Sequence, residues 1–151
     1  MSYADILQVY AIAEKCFTTP WQLSTFEYEL SNNDAILYVA VLDNEIGGYV
    51  CLRTMLDVTH VMDLAVTPKL RLTGIGSMLL RAALQELRRL RQDVHLVTLE
   101  VRESNIAAIR LYEKYGFKEI GRRKDYYKKP NEDAIIMELD INSGNYSSTL
   151  H

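Results

Sequence analysis

The chain has 151 residues, 48% apolar and 25% charged, with 17 Lys and Arg against 20 Asp and Glu. That length suits one domain with a real core, and the composition excludes a disordered chain. A net charge of −3 excludes a globally basic nucleic-acid surface, and no apolar run approaches the ~18 residues of a membrane span. The start, Met1-Ser2-Tyr3-Ala4-Asp5, lacks the basic and apolar stretches of a signal peptide, so the expected compartment is the cytoplasm. Cys16 and Cys51 have no CxxC or histidine-containing spacing, and His60, His95 and His151 are isolated. Reduced, buried cysteines and no metal site are therefore expected. Tyrosine (10) outnumbers phenylalanine (3), so many rings carry a hydroxyl that needs a partner if buried.

In chain order, Ser2 and Asp5 approximate a capping box before Ile6, Val9, Tyr10, Ala13 and Phe17 at helical spacing. Pro20-Trp21 breaks the chain, and Ser24 with Glu27 predicts a second capping box opening a short helix to about Leu30. Residues 35–42 and 46–53 read as strands joined by Asp43-Asn44-Glu45, and a third strand over 58–66 stops at Pro68. From Gly76 to about Arg91 an amphipathic helix is predicted, with Met78, Leu79, Ala82, Ala83, Leu87 and Leu90 as its stripe. His95 to Val101 is a strand, Ser104 or Asn105 caps a helix reaching Tyr115, and Gly116 ends it. Strands over 117–127 and 134–139 follow. The order predicts an α/β (or α+β) fold, a mixed sheet flanked by helices, as one domain over 1–141. Residues 142–151 read as a polar, mobile tail. Basic residues at Arg88-Arg89-Leu90-Arg91, Arg122-Arg123-Lys124 and Lys128-Lys129 read as solvated faces or loops.

The most informative segment is Val66 to Ser77, which follows a buried strand and opens a helix, with Gly74 and Gly76 at the junction. Glycine frees the backbone to turn and to expose N–H groups, which with the helix dipole form an anion site. Lys69 and Arg71 add positive charge. No GxxxxGK[ST] is present, and Leu79 stands where a dinucleotide fingerprint needs a third glycine. On these residues alone, a glycine-rich turn without a ligand stays open.

Arg71-Leu-Thr-Gly74-Ile-Gly76 resembles the R/Q-x-x-G-x-G/A pattern of the GCN5-related N-acetyltransferases (GNAT), and Leu99-Glu-Val-Arg-Glu-Ser-Asn105 with Leu111-Tyr112 and Tyr115-Gly-Phe117 resembles that family's second signature. Cys16-Phe-Thr-Thr-Pro-Trp21 and Tyr126-Tyr127 before Glu132-Asp-Ala-Ile-Ile-Met137 are similar to its ribosomal-protein-alanine branch. The resemblance covers residues 3–141. It implies an acyl-CoA N-acyltransferase fold and acetyl-CoA as co-substrate. The pyrophosphate would be held by amides across Arg71, Leu72, Thr73, Gly74, Ile75, Gly76 and Ser77, and the pantetheine arm by backbone groups of Leu64, Ala65 and Val66. Leu72 and Thr73 depart from relatives, which often carry a second basic residue there. The implied acceptor is a protein α-amine, such as the N-terminal alanine of small-subunit ribosomal protein eighteen, with no direct nucleic-acid or membrane partner.

Acetyl transfer needs a neutral amine, donors for the oxyanion and a proton for the leaving thiolate. Strand alternation puts Leu96, Thr98 and Glu100 on one face and Val97, Leu99 and Val101 on the other. Read alone, Glu100 is either a strand-end charge or a base; the resemblance implies the base. Tyr112 is either a core ring or the acid, and the resemblance implies the acid. Asn105 is a helix cap, an acetyl-CoA contact, or both. Glu103 competes with Glu100 but is expected to face the helix N-terminus. Trp21, Tyr126 and Tyr127 either wall an acceptor groove or pack. Neither cysteine sits in a nucleophile motif, so direct transfer is expected. The rivals are a small-molecule acetyltransferase and a non-catalytic acyl-CoA-binding module.

Overall fold

The computed structural model of the protein describes residues 1–142; of the expected tail, only Asn142 falls within them. Hydrogen-bonded strands follow the order β1-β2-β3-β4-β6-β5 in a mixed sheet flanked by helices. The chain divides into two compact units, one of residues 1–54 and 61–90, the other of residues 55–60 and the chain from Arg91.

In the first unit a 3-10 turn (Tyr3–Asp5) leads into α1 (Ile6–Cys16). The Ser2 N–H and hydroxyl both donate to Asp5 Oδ2, at 2.8 and 3.2 Å, so the expected cap forms. The second cap does not. Helix α2 (Leu23–Ser31) has Gln22 at its N-cap, and Ser24 lies in the first turn. Trp21, just before that cap, packs on Phe26 with centroids 5.2 Å apart. This hydrophobic staple starts the helix earlier than a Ser24 cap would.

Strands β1 (Ala35–Leu42) and β2 (Glu45–Met55) pair antiparallel across a two-residue turn. Asp43 (φ 50°) and Asn44 (φ 66°) are both left-handed there, the twist such a hairpin needs. Strand β3 (Val58–Val66) has the predicted bounds. Ile6, Val9, Ile12, Ala13, Phe26, Tyr49 and Ala65 form this unit's core. Helix α3 (Ile75–Leu90) buries Ile75, Leu79, Leu80, Ala83, Leu84 and Leu87. Each fully buried leucine contributes roughly 1.5–3 kcal/mol. The stripe is thus rotated from the expected one: Met78 and Leu90 are exposed, and Leu80 and Leu84 replace them. Several apolar stripes coexist on this helix, and packing selects one.

In the second unit the start of β3 pairs parallel with β4 (Leu96–Arg102), Val58 opposite Leu96 and His60 opposite Thr98. Strand β6 (Glu132–Asp140) pairs antiparallel with both β4 and β5 (Lys118–Tyr127). Alternation on β4 is as predicted: Val97, Leu99 and Val101 are buried opposite Leu139, Met137 and Ile135. Leu96, Thr98, Glu100 and Arg102 are half-buried on the other face. Helix α4 (Ile106–Lys114) begins at Asn105, whose side chain accepts the Ala108 N–H at 3.2 Å. Gly116 (φ 96°) follows it in the left-handed conformation.

Candidate active site

The expected anion loop lies wholly in the first unit. After β3, the Thr67 N–H donates to the Gly47 carbonyl at 2.8 Å, and a 3-10 turn (Pro68–Leu70) carries the chain to Arg71. Arg71 Nε donates to the Val66 carbonyl at 3.4 Å, and Nη2 to Cys16 Sγ at 3.3 Å. The guanidinium therefore ties the loop to the end of β3 and the end of α1. The Cys16 thiol donates to the same Val66 carbonyl; Cys16 is half-buried rather than buried, while Cys51 is buried as expected.

Leu72 is 96% exposed and left-handed (φ 63°), a conformation that costs a side-chain-bearing residue on the order of 1 kcal/mol. Gly74 (φ 90°) makes the turn into α3, and the Thr73 hydroxyl closes on the Leu70 carbonyl. Gly76 does not share in that turn; it is helical, in the first turn of α3 with Ile75 and Ser77. First-turn N–H groups have no acceptor within their own helix and point out of its positive end. A Cβ on Gly74 would meet nothing within 4 Å, so the space in front of the loop is open. These residues fit a phosphate-bearing ligand held by backbone amides. Leu64, Ala65 and Val66 precede the loop on β3, with Ala65 buried. A cavity of about 390 Å³ in this unit is lined by Gln8, Lys15, Asp43, Glu45, Lys69 and neighbours, and none of the loop's candidates from Arg71 to Ser77 borders it.

In the second unit Glu100 stands on the half-buried face of β4, its side chain 32% exposed, with Arg123 Nε 3.7 Å from Oε1. Around it the chain builds an aromatic and cationic surface. Tyr126 and Tyr127 meet edge-to-face at 5.0 Å, Arg123 lies over Tyr126 and Arg102 over Tyr127. Burial pushes the Tyr127 phenol up to about 12, helped by negative charge at Tyr126 and Glu100 and opposed by Arg102. Arg102 also donates to the Lys128 and Pro130 carbonyls at 3.0 Å and to Glu132 at 3.1 Å, pinning the β5–β6 connection.

Tyr112 is buried on α4, its ring 5.5 Å from that of Phe117. Asn105 serves as the helix cap. Glu103 does not face the helix N-terminus: Arg122 takes it at 2.9 Å, and Glu132 instead accepts the Ser104 N–H at 2.7 Å. Hydrogen bonding from the Ser104 side chain, then from its backbone N–H and from Arg102, holds Glu132 below the usual carboxylate range. The basic clusters lie on exposed surface, as expected, and make ion pairs there. Arg122 and Arg123 pair with Glu119, Glu103 and Glu100, and Arg91 pairs with Asp93. Arg102 and Arg123 are the site residues that sequence reasoning missed. Arg102 is two residues from Glu100 and so shares its face, a signal within reach; Arg123 needed the β5–β6 register. Among the described residues no group of three or more His, Cys, Asp or Glu is placed to hold a metal, and no helix is long and apolar enough to cross a membrane.

Comparison with known proteins gives a consistent result. The model of the acetyltransferase (GNAT) family matches residues 6–117. A ribosomal protein bS18-alanine N-acetyltransferase of Haemophilus influenzae is 34% identical over 139 residues, covering 88% of this chain and 90% of the relative. The crystal structure of the ribosomal-protein-S18-alanine N-acetyltransferase of Escherichia coli superposes with a TM-score of 0.84 at 31% identity, covering 95% of this chain and 92% of that one. A Bacillus anthracis protein solved in complex with acetyl coenzyme A matches with a TM-score of 0.67 at 28% identity, covering 76% of this chain and 67% of that one.

Proposed function

The chain belongs to the GNAT family of acetyltransferases, and from that premise we propose that it acetylates a protein N-terminus, the alanine of ribosomal protein bS18, from acetyl-CoA. The observation that carries this reading is identity of about a third, over nearly the whole length, to relatives named for that acceptor. Its compartment would be the cytoplasm.

An α-amine has an ordinary pKa of about 7.7–8.0 against about 10.4 for lysine, so neutralising it near pH 7 costs under about 1.5 kcal/mol rather than roughly 4–5. A single carboxylate is base enough. Glu100 takes that proton as the amine nitrogen attacks the thioester carbonyl. Backbone N–H groups near Val66 would stabilise the oxyanion. As the C–S bond breaks, the Tyr112 hydroxyl gives its proton to the leaving thiolate. The amides of Gly74, Ile75, Gly76 and Ser77 hold the pyrophosphate, and Arg71, with Leu72 and Thr73, sets the loop that presents them. Leu64, Ala65 and Val66 offer strand-like hydrogen bonds to the pantetheine arm, and Asn105 caps α4 beside its role toward the co-substrate.

Mass spectrometry of Ala-, Ser- and Met-starting peptides incubated with the protein and acetyl-CoA tests the reading. Acetylation at the α-amine, strongest for alanine, is expected. No product, or labelling confined to lysine side chains or to small amines, overturns it.

A further inference from the structure

Arg102, the last residue of β4, has a side chain 23% exposed and spends its guanidinium on the connection between β5 and β6. Nη1 donates to the Pro130 carbonyl at 3.0 Å and to Glu132 Oε2 at 3.1 Å, and Nη2 donates to the Lys128 carbonyl at 3.0 Å. The same guanidinium lies 4.5 Å from the centre of the Tyr127 ring. Glu132 also accepts the Ser104 N–H, so the chain just after Arg102 is tied to the same connection. The chemistry proposed above gives Arg102 no part.

The strand register shows what that connection borders. On β6, Ala134 stands opposite Arg102 of β4 and Arg123 of β5, Ile136 opposite Glu100 and Gly121, and Glu132 opposite Tyr127. Residues directly opposite share a face, so Glu100, Arg102, Arg123 and Tyr127 all stand on one side of the sheet. From Arg123 to Tyr127 β5 advances four residues, where β6 covers only the two from Ala134 to Glu132. That bulge carries Tyr126, with Asp125 left-handed at φ 52° and its N–H given to Asp133 Oδ1 at 2.9 Å. A bulge breaks the ladder and re-aims the side chains around it. The end of β5 therefore needs an anchor outside its own ladder, and Arg102 supplies one. Arg123 joins the bulge to Glu100, with Nε 3.7 Å from Oε1 and its guanidinium 5.7 Å from the Tyr126 ring. Tyr126 meets Tyr127 edge-to-face at 5.0 Å.

We propose that Arg102 is a positioning residue for the acceptor: it fixes the bulged end of β5 so that Tyr126 and Tyr127 wall the approach to Glu100. An α-amine that reaches Glu100 brings its peptide across this face, where the exposed Tyr126 ring and the half-buried Tyr127 ring offer apolar area. A guanidinium suits the task because its planar fork meets two carbonyls and a carboxylate while its face lies on a ring. An ammonium is a point charge and cannot do both. The inference rests on the reading that Glu100 takes the proton of a protein α-amine. Arg102 acts through the β5–β6 connection and Tyr127.

The test is steady-state acetylation of an alanine-starting hexapeptide by the full chain, with equilibrium binding of acetyl-CoA measured beside it. Arg102→Met should raise the peptide KM about tenfold, the scale of one charge-assisted hydrogen bond, with kcat and acetyl-CoA affinity nearly unchanged. Arg102→Lys keeps a cation without the fork and should recover part of that loss. Tyr127→Leu should raise the peptide KM as well, and Arg102→Met should cost less in that background than in wild type, because both act on one wall. If wild type acetylates the peptide while Arg102→Met leaves its KM unchanged, or the two losses multiply in the double variant, the role is overturned and the N-terminal reading stands. A joint fall of kcat and acetyl-CoA affinity in Arg102→Met and Arg102→Lys overturns it too, because Arg102 then serves the fold as a whole. If wild type acetylates no α-amine, the N-terminal reading falls and takes the role with it.

Discussion

Each unit of the molecule carries a carboxylate on a strand flanking a functional segment, and their surroundings are opposite. Glu100 in the second unit has a cation 3.7 Å away and a third of its side chain in solvent. Asp63 in the first has a phenol for a partner, little solvent and, among the described residues, no cation. The Arg123 guanidinium offsets the Glu100 charge within the fold. Asp63 has hydrogen bonds from the Tyr49 hydroxyl and the Leu64 backbone to offset its charge. The difference teaches that the same functional group, on the same kind of element, has its charge offset by a cation in one region and by a hydrogen-bonded phenol in the other.

The sharpest attempt to break this division is Glu100→Gln. General-base catalysis is worth about 10²–10⁴ in rate, so kcat at neutral pH should fall by that factor, with partial recovery as rising pH frees the amine unaided. A wild-type rate and pH profile would remove Glu100 from the chemistry. Tyr112→Phe should lower kcat by about a hundredfold with acetyl-CoA affinity nearly intact. Steady-state kinetics beside equilibrium binding separates the two, and an unimpaired kcat would exclude Tyr112 as the acid.

Gly74 gives a smaller effect of another kind, because its contribution is conformational. With φ at 90° and open space around it, Gly74→Val pays a backbone strain of about 1–2 kcal/mol and should weaken acetyl-CoA binding about tenfold. Gly74→Asn, which tolerates left-handed backbone better, should weaken it less. Equal losses would mean that conformation is not what the glycine supplies.

The smallest expected effect is on stability. The Asp63 carboxyl lies near 6 in the folded chain and near 3.8 when unfolded. Between those values the folded state holds the extra proton, so this residue's contribution to stability falls as pH rises through the window and stays low above it. Asp63→Asn should be more stable than wild type at pH 7, by about 1 kcal/mol after solvent screening, with a smaller gap at pH 4. Urea midpoints at the two values measure this, and a gap that does not widen with pH would mean Asp63 is not strained by its burial.

Much of this could be read in advance from single residues. β1 and β3 have the predicted bounds because β-branched runs ending at Asp43-Asn44 or at Pro68 leave little choice. The alternation that half-exposes Glu100 follows from period 2 once β4 is recognised. The Asn105 cap and the Gly116 stop are local chemistry. Gly76 lies in the first turn of α3, in the helix predicted from it, and the left-handed turn before that helix belongs to Gly74.

What the sequence determined by itself is what depends on neighbours along the chain: turn residues, caps, strand alternation, and the motif order that places the chain in its family. Only tertiary structure decided which stripe of α3 is buried, where α2 begins, that Arg123 reaches Glu100, and that Tyr49 donates to Asp63 fourteen residues away. Those outcomes turn on register, on packing and on the depth at which a charge lies. Each is settled by contacts between strands and helices, and spacing along one element does not encode them.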